Sequence, residues 1–411
     1  MTICVVVEHR FERTPDGAVW TGSSHSYADS QRYLEVFGHV RVLARVRDVA
    51  AAAPGAARAD GDGVSFAPLP YYVGFGGFCL RARAVRRAAL RAVGEADAVL
   101  LKAPSPLTCL IEPALHRMGR PFALQVIGDP WGTYAKGATR HPLRPVLRSV
   151  LTRLTAAQAR HAAAVSYVTR ESLQARYPAA ELAFRTGVSD VQLADDAFAA
   201  EPRAVRDEAS PLRLIAVCAL EQPYKGIDVL LRALAVCAAG GLDFRLSIVG
   251  DGRLRAELAA LAAQLGIGER VEFRGALPAG PRIVEALDGA DLFVMPSRSE
   301  GLPRAMVEAM ARALPCIGSA TGGIPELLDA EDLVAPGDAR ELAARIAEVA
   351  LSPERLRRMS ERSLGRAGEF REDVLRGRRR EFLVRLQEIT ALWCAGRARA
   401  AGRFAATEVC S

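Results

Sequence analysis

Short apolar runs alternate with longer amphipathic segments along most of the chain. This alternation predicts α/β domains with parallel sheets, because each strand returns to the same sheet through a crossover helix. The predicted strands are at 3–7, 40–43, 98–101, 122–126, 164–168, 212–217, 244–249, 271–273, 292–294 and 316–317. The predicted helices are at 25–37, 80–94, 106–118, 142–160, 170–176, 226–238, 253–265, 281–288, 303–312, 338–350 and 354–395.

The alternation stops between 195 and 211, where the segment is polar, contains two prolines and lacks sustained periodicity. We therefore expect two Rossmann-like domains, residues 1–195 and 212–370, joined by a linker at 196–211. Two such domains place a ligand in the cleft between them, at the carboxyl ends of the strands. The last residues, 396–411, are predicted to be a loose tail.

The length and composition agree with two globular domains. A chain of 411 residues is too long for one ordinary core, and half of its residues are apolar. No apolar stretch is long enough to span a membrane, and the start is too short and wrongly flanked for a signal peptide. The eight cysteines are scattered without a C-x-x-C pair, so we expect neither disulfides nor zinc and a cytoplasmic location.

The net charge of +7 comes from arginine, since the only lysines are Lys102, Lys136 and Lys225. The arginines are dispersed rather than aligned with aromatic residues, so no nucleic-acid partner is predicted. The arginine-rich segments 80–94 and 142–160 could lie on a membrane surface, or they could be packed helices with a solvated basic face. We favour the second interpretation, which leaves membrane contact possible. The oligomeric state is not predicted.

The segment SEGLPRAMVEAM at 299–310 carries the strongest chemical signal. It follows a short strand and is predicted to open a helix at Pro303, so the free N–H groups of Gly301 and Leu302 suit an anion. Glu300 and Glu308 suit the hydroxyl groups of sugar rings. The alternative is a helix-capping acid followed by a solvated surface acid.

Two further turns strengthen this signal. Lys225, in QPYKGID at 222–228, is a point charge suited to a pyrophosphate, although a surface lysine before a helix would look the same. Gly322 and Gly323, in TGGIPE at 321–326, either present amides to a sugar or reverse the chain.

With Gly250-Asp251-Gly252 and the turn at 334–338, these motifs resemble glycosyltransferase family 4 over residues 212–350. The resemblance implies a GT-B fold of two facing Rossmann-like domains. It also implies a nucleoside-diphosphate sugar in the C-terminal domain, with UDP as the default nucleotide, and retention of the anomeric configuration. The helix at 371–395 should cross back to the N-terminal domain.

The resemblance also implies residue roles. Glu308 should bind the ribose, Glu300 the transferred sugar, and Lys225 with the amides of 301–302 the diphosphate. Arg274 should lie by the base. The departing diphosphate can accept the acceptor's proton, so no protein nucleophile and no metal are expected. The metal-binding pattern of another glycosyltransferase fold, Asp60-Gly61-Asp62, is interpreted as a surface turn.

One position departs from the family's pattern. The arginine usual a few residues before the lysine is missing, since the sequence reads Ala219-Leu220-Glu221. We expect another cation to take its place. Arg304 is favoured over Arg298.

The N-terminal half resembles the family less. Ser24 and His25 stand where many members have a glycine pair facing the phosphates. Asp129, in IGDPW at 127–131, stands near the expected acceptor hydroxyl, and is a candidate to orient it. Its alternative is an ordinary turn aspartate before proline.

The opening segment, 8–17, is similar to actinobacterial enzymes that glycosylate aminocyclitols in aminoglycoside antibiotic pathways. Glu8 and Asp16 would suit an acceptor amine, or they are ordinary loop residues. The sequence thus predicts a retaining transferase acting on a small polar acceptor. The alternatives are a lipid or polysaccharide acceptor at the membrane, an epimerase of the same fold, and a non-catalytic partner protein.

Overall fold

The computed structural model describes residues 1–22, 25–191, 193–204, 210–278 and 280–408, which form two β-sheets with helices packed on both faces. The strands of the first sheet are β1 Thr2–Arg13, β2 Val19–Thr21, β3 His39–Asp48, β4 Ala57–Arg58, β5 Val64–Leu69, β6 Ala98–Ala103, β7 Ala123–Val126, β8 Ala164–Tyr167 and β9 Phe184–Gly187. Those of the second are β10 Leu212–Val217, β11 Phe244–Val249, β12 Val271–Gly275, β13 Leu292–Met295, β14 Cys316–Ser319 and β15 Leu333–Val334.

Helices connect most of the strands. They are α1 Tyr27–Leu34, α2 Gly74–Gly94, α3 Pro106–Arg117, α4 Pro130–Thr133, α5 Arg144–His161, α6 Ser172–Arg176, α7 Ile227–Ala239, α8 Arg255–Gln264, α9 Pro281–Asp288, α10 Arg304–Ala311, α11 Ala339–Ala350, α12 Pro353–Ala367 and α13 Glu372–Glu408. No helix in the described part of the chain combines the length and hydropathy needed to cross a membrane.

The first sheet has a parallel core in the order β5-β3-β1-β6-β7-β8-β9, and β2 and β4 extend it with antiparallel pairs beyond the end of β1. β1 is longer than the predicted 3–7, because a bulge between Val6 and Arg10 returns Phe11 to the core. β5 and β9 were not predicted from the sequence. The N-terminal sheet is therefore wider than the apolar runs indicate.

The second sheet is entirely parallel, in the order β12-β11-β10-β13-β14-β15. The strand order reverses beside β10, and this reversal opens a crevice at the carboxyl ends of β10 and β13. The predicted helix at 281–288 is confirmed to the residue by α9.

The segment predicted as a linker is held against the C-terminal sheet as far as the structure describes it. Phe198 is buried, and the amide of Ala199 donates to the carbonyl of Ala311 (2.7 Å). The Arg203 guanidinium donates to the carbonyls of Leu287 (3.0 Å) and Ala290 (2.6 Å). Residues 196–204 therefore follow the surface of the second sheet's helices, and 205–209 lie outside the described residues.

The chain ends in two helices rather than the single predicted segment at 354–395. One turn, Gly368–Phe370, separates α12 from α13. Helix α13 packs Phe382 and Leu386 onto the N-terminal sheet, and Gln387 donates to the carbonyl of Val36 (2.7 Å). Helix α13 continues past residue 396, so the tail that was predicted to be loose is helical as far as Glu408.

Candidate functional site

Lys225 and Glu300 form a buried ion pair at the carboxyl ends of β10 and β13. The Lys225 Nζ donates to Glu300 Oε1 (2.7 Å), and Ser297 Oγ donates to the same oxygen (2.7 Å). Burial alone would lower the pKa of Lys225, but the Glu300 carboxylate outweighs it and the pKa is raised. Glu300 Oε2 receives no protein donor from the described residues. A fixed cation thus lies beside a carboxylate oxygen that can accept a hydroxyl.

The positions around this ion pair require glycine because other backbone segments pass close to them. A Cβ at Gly322, where φ is +56°, would lie 2.1 Å from the carbonyl oxygen of Glu300. A Cβ at Gly301 would lie 2.8 Å from the carbonyl oxygen of Ile127 in the N-terminal domain. The Gly323 amide donates to the carbonyl of Gly301 (2.6 Å), so it is not available to a ligand. The interpretation that Gly323 presents its amide to a sugar is therefore wrong, and this glycine instead packs against the loop at Gly301.

Free amides lie at the start of α10. Within the part of the chain that the structure describes, the N–H groups of Gly301, Leu302 and Arg304 donate to no protein acceptor. The helix begins at Arg304, and Pro303 is its cap residue rather than the predicted first residue. Unpaired amides and the positive end of the helix dipole together suit an anion.

Glu308 lies inside α10 and is partly buried. Burial raises the pKa of its carboxyl group, and the nearby charge of Arg304 opposes that shift. No protein group in the described residues donates a hydrogen bond to this carboxylate. Glu308 is therefore not the fully solvated surface acid of the alternative interpretation, and it can accept hydroxyl groups from a ligand.

The two candidates for the missing arginine have different surroundings. Arg298 donates to both carboxylate oxygens of Asp228 (2.8 and 2.7 Å) and to the carbonyl of Pro223 (2.8 Å). It therefore holds the turn that carries Lys225, a role that the sequence did not reveal. Arg304 has no hydrogen bond or ion pair to any described residue, and it lines a cavity between the domains. Arg304 is the cation left for a ligand.

A larger cleft, of about 610 Å³, opens on the other side of Lys225. It lies between α7, α8 and a loop of the N-terminal domain, and Arg140 and Glu257 close it with a two-pronged ion pair (2.9 and 2.5 Å). Glu300 and Glu308 do not line it. Of the residues predicted to bind the donor, only Lys225 lines this cleft.

Arg274 lies near the end of β12 with an exposed side chain. Leu277, which follows it, packs against the core formed by β13 and α10. Binding of a base by this segment stays a prediction.

Asp129 serves as a cap instead of facing a ligand. Its carboxylate accepts from the amides of Trp131 (3.0 Å) and Gly132 (3.2 Å) at the start of α4 and from the hydroxyl of Tyr177. Arg176 lies 3.5 Å from its second oxygen. Because both oxygens are used locally, the turn interpretation accounts for Asp129, and we withdraw it from the catalytic group.

The acceptor-side carboxylates are also in use. Glu8 accepts from the hydroxyls of Tyr72 (2.7 Å) and Ser105 (2.9 Å) and pairs with Arg45 (3.2 Å). Asp16 lies in the exposed turn between β1 and β2 and accepts from the amide of Ala18 (3.2 Å). Glu8 is therefore not left for an acceptor amine, which corrects that expectation, whereas an acceptor role for Asp16 stays a prediction.

His25 is the acceptor-side candidate that does reach the cleft, whereas Ser24 lies outside the described residues. His25 has a φ of +76°, lines the cavity that Arg304 also lines, and stacks on His9 with ring centres 5.1 Å apart. Burial lowers the pKa of His25 to about 3 and that of His9 to about 4. Both imidazoles are therefore neutral near pH 7.

Glu326 joins the two domains, which the sequence did not predict. Its carboxylate, in the turn after β14, accepts from the amides of Arg170 (2.6 Å), Glu171 (3.1 Å) and Ser172 (2.9 Å) at the start of α6. A spacing of more than 150 residues separates the donors from the acceptor. The C-terminal domain thus supplies the acceptor for the free amides at the start of a helix in the N-terminal domain.

A model of a known protein family matches the part of the chain that carries the candidate donor residues. Residues 203–365, which contain Lys225, Glu300 and Glu308, match the family described as glycosyl transferases group 1. The C-terminal half contains a group 1 glycosyl transferase domain. This domain supplies the α10 amides and the buried Lys225–Glu300 pair.

The matches to curated relatives differ in length. The chain is 23% identical to protein CapJ of Staphylococcus aureus over 86% of its own length and 87% of that protein. It is 37% identical to a putative colanic acid biosynthesis glycosyltransferase, WcaL of Escherichia coli, over 36% of the chain and 38% of WcaL. The 2-deoxystreptamine glucosyltransferase of Streptomyces kanamyceticus is 34% identical, over 31% of the chain and 34% of that enzyme. The latter two matches span about a third of either protein.

Solved structures establish the fold. Sucrose-phosphate synthase from Thermosynechococcus elongatus superposes with a TM-score of 0.69, covering 96% of this chain and 100% of that one at 18% identity. HepE of Anabaena, solved in complex with UDP-glucose, gives 0.65 over 93% and 99% at 16% identity. The fold is GT-B, with two domains built on parallel sheets, and the expected fold class is confirmed.

Proposed function

We propose that the chain is a retaining glycosyltransferase that moves a sugar from a nucleoside-diphosphate sugar, by default a UDP-sugar, to a hydroxyl group of a small polar acceptor. The observation that carries this proposal is the Lys225–Glu300 pair beside the unpaired amides of Gly301 and Leu302. Lys225 and the amides supply positive charge where a diphosphate leaving group gains negative charge. Glu300 Oε2 and the Glu308 carboxylate are open to sugar hydroxyls.

In this proposal the protein positions its substrates and stabilises the leaving group. The acceptor hydroxyl attacks the anomeric carbon on the face that the diphosphate leaves, and a diphosphate oxygen takes the hydroxyl proton. No protein nucleophile is needed, because held reactants and fixed charges lower the barrier. We propose that no metal is needed either, since the protein's own cations meet the diphosphate. The Asp60 carboxylate fits this view, because it accepts from the Val19 amide (2.9 Å) and Arg58 (3.1 Å) in a turn.

A small polar acceptor agrees with an active site enclosed between two domains. An aminocyclitol acceptor in antibiotic biosynthesis, and a cytoplasmic location, rest on the sequence alone. The 2-deoxystreptamine glucosyltransferase is similar over only 31% of the chain, so its acceptor gives little support for the acceptor of this protein.

A thermal-shift panel of UDP, GDP, ADP, dTDP and NAD tests the donor site. We expect one nucleoside diphosphate to stabilise the protein, by about 2.7 kcal/mol at a hundred times its dissociation constant. EDTA should leave both this shift and sugar transfer unchanged. A response to NAD alone, or to none of the diphosphates, would contradict the proposed donor site. Epimerised or free sugar without transfer to any acceptor would favour the epimerase instead.

A membrane-bound acceptor is the second candidate, and the exposed face of α5 favours it. Leu143, Val146, Val150 and Leu154 form an exposed apolar stripe along this helix. Arg153 is exposed beside the stripe, and the exposed ring of Trp131 lies under the Arg148 guanidinium (3.7 Å). Apolar and basic residues on one helix surface are typical of helices that lie in a membrane interface.

Co-sedimentation with liposomes tests this candidate. If α5 docks on membranes, the protein should pellet with vesicles of phosphatidylglycerol, and Val146→Glu/Val150→Glu should reduce the bound fraction about tenfold or more. Leu351→Glu is the matched control, since Leu351 is exposed in the other domain. Equal sedimentation of all three proteins would exclude α5 as the membrane contact.

A further inference from the structure

A cavity of about 250 Å³ lies between the domains, separate from the Lys225 cleft. Its floor is the face of the N-terminal sheet at Val5 and Val7, and α1 covers one side. Leu302 and Arg304 of the C-terminal domain complete the wall. The volume corresponds to roughly eight water molecules, which is enough for a charged group of a few atoms. Both domains are needed to form this cavity.

Lys102 is the most unusual group in the cavity wall. Only 8% of Lys102 is exposed, and every other residue of β6 is apolar. An ammonium group has three N–H donors, and here none of them makes a hydrogen bond or ion pair within the described residues. Burying a cation without a partner is costly. A ligand that supplies the missing acceptor would account for this placement.

The carboxylates near Lys102 already have partners. Asp190 accepts from the Gln125 amide (2.9 Å). Asp29 accepts from the amides of His25 and Ser26 (both 2.8 Å) and pairs with Arg32 (3.3 Å). Asp190 and Lys102 attract each other without a direct contact.

The remaining charge in the cavity is positive. The wall has three cations, Lys102, Arg32 and Arg304, against the two carboxylates, and burial keeps His25 neutral. Of these three cations, Lys102 and Arg304 make no ion pair with a described residue, and they come from opposite domains. Their arrangement fits an anionic group held between them.

We propose that this cavity binds an anionic group, a phosphate or a carboxylate, carried by the acceptor. The assignment of the anion to the acceptor rests on the proposed function, whereas the anion subsite itself rests on Lys102 and Arg304 alone. We assign the group to the acceptor because Lys102 belongs to the N-terminal sheet, and the diphosphate already has Lys225 and the α10 amides. In this assignment Arg304 contacts the anion of the acceptor instead of replacing the arginine that is missing before Lys225. The acceptor class therefore changes from an amine to an acid, because Glu8 already has partners and Asp16 does not line this cavity.

Calorimetric titration of the purified full chain tests this subsite. The protein is first saturated with the nucleoside diphosphate that stabilises it, and is then titrated with inorganic phosphate, glycerol 3-phosphate, glucose 6-phosphate and glucuronate. Glycerol and glucose are the uncharged partners of these probes. We expect at least one anionic probe to bind to the saturated protein and its uncharged partner not to bind. Lys102→Met should weaken that binding by about tenfold or more.

Lys136→Met is the matched control, because Lys136 is exposed and belongs to neither site. It should bind every probe as the unchanged protein does, and Lys102→Met should keep its affinity for the nucleotide. Lys102→Met should also unfold at the same or a higher temperature, because it removes an unpaired buried charge. A purely structural lysine would instead lower that temperature. Lys102→Gln provides a second variant if the methionine variant does not fold.

Three results would overturn the proposal: no anionic probe binds at millimolar concentration, Lys102→Met binds them unchanged, or the probes compete with the nucleotide. The last result would assign the cavity to the donor diphosphate. A failure of the proposed function is recognised separately, because it shows as the absence of any nucleotide binding. The anion titrations can then be repeated without nucleotide.

Discussion

Replacing Lys225 with alanine is expected to slow sugar transfer by about a hundred- to a thousandfold, equal to about 2.7–4 kcal/mol of lost transition-state stabilisation. The ammonium of Lys225 contacts Glu300, the residue directly before the free amides of Gly301 and Leu302, so in the proposed mechanism the variant loses charge opposite the leaving group. The rate of transfer from the preferred nucleotide sugar measures the effect. Lys136→Ala, an exposed lysine, should keep full activity.

The same substitution should also destabilise the fold, because it leaves the Glu300 carboxylate without its cation. Removing one partner of a buried pair costs about 3–5 kcal/mol, and the lower end applies because Lys225 keeps 17% of its side chain exposed. Lys225→Met with Glu300→Gln removes both charges and should recover most of this stability without recovering transfer. Normal transfer by a stably folded Lys225→Ala protein would remove the lysine from the mechanism.

Replacing Gly322 with alanine is expected to reduce transfer on the order of a hundredfold. The new Cβ would lie 2.1 Å from the carbonyl oxygen of Glu300, so the loop carrying Glu300 must move by more than about 1 Å. Misplacement of that size at a positioned group is enough for a loss of this order. Steady-state rates at varied donor concentration measure it.

Gly241→Ala separates this effect from backbone strain. Gly241 also has a positive φ, of +87°, but a Cβ there would meet nothing within 4 Å. It should therefore cost only about 1 kcal/mol of stability and leave transfer unchanged. Equal activity of the two variants would show that the loop at Glu300 tolerates displacement.

Most helices and the parallel sheets could be predicted because their apolar positions repeat at regular spacing. β5 could not, because its burial depends on pairing with β3, and Pro68 within it argues against a strand. The bulge in β1 was equally hidden, since the residues after Val7 are charged and only Phe11 returns to the core. Long-range pairing, rather than local pattern, determines these elements.

The candidate site could be predicted where its groups lie within one short segment, as at Gly301 and the start of α10. Partners distant in sequence were not predictable: Lys225 and Glu300 were given separate roles, although they meet across 75 residues. The sequence also suggested carboxylates for an acceptor amine without showing that Tyr72, Ser105 and Arg45 occupy Glu8. Which polar groups remain unpaired is decided only by packing.

Opening of the cleft must break the hydrogen bonds of the Glu326 carboxylate, so part of its free-energy cost can be assigned to this residue. When the two domains separate, the amides of Arg170, Glu171 and Ser172 lose their shared acceptor and must be satisfied by water. The first turn of α6 then loses its capping acceptor. Exposure of these amides to solvent thus accompanies separation of the domains, and hydrogen exchange at the three amides would report how often the cleft opens.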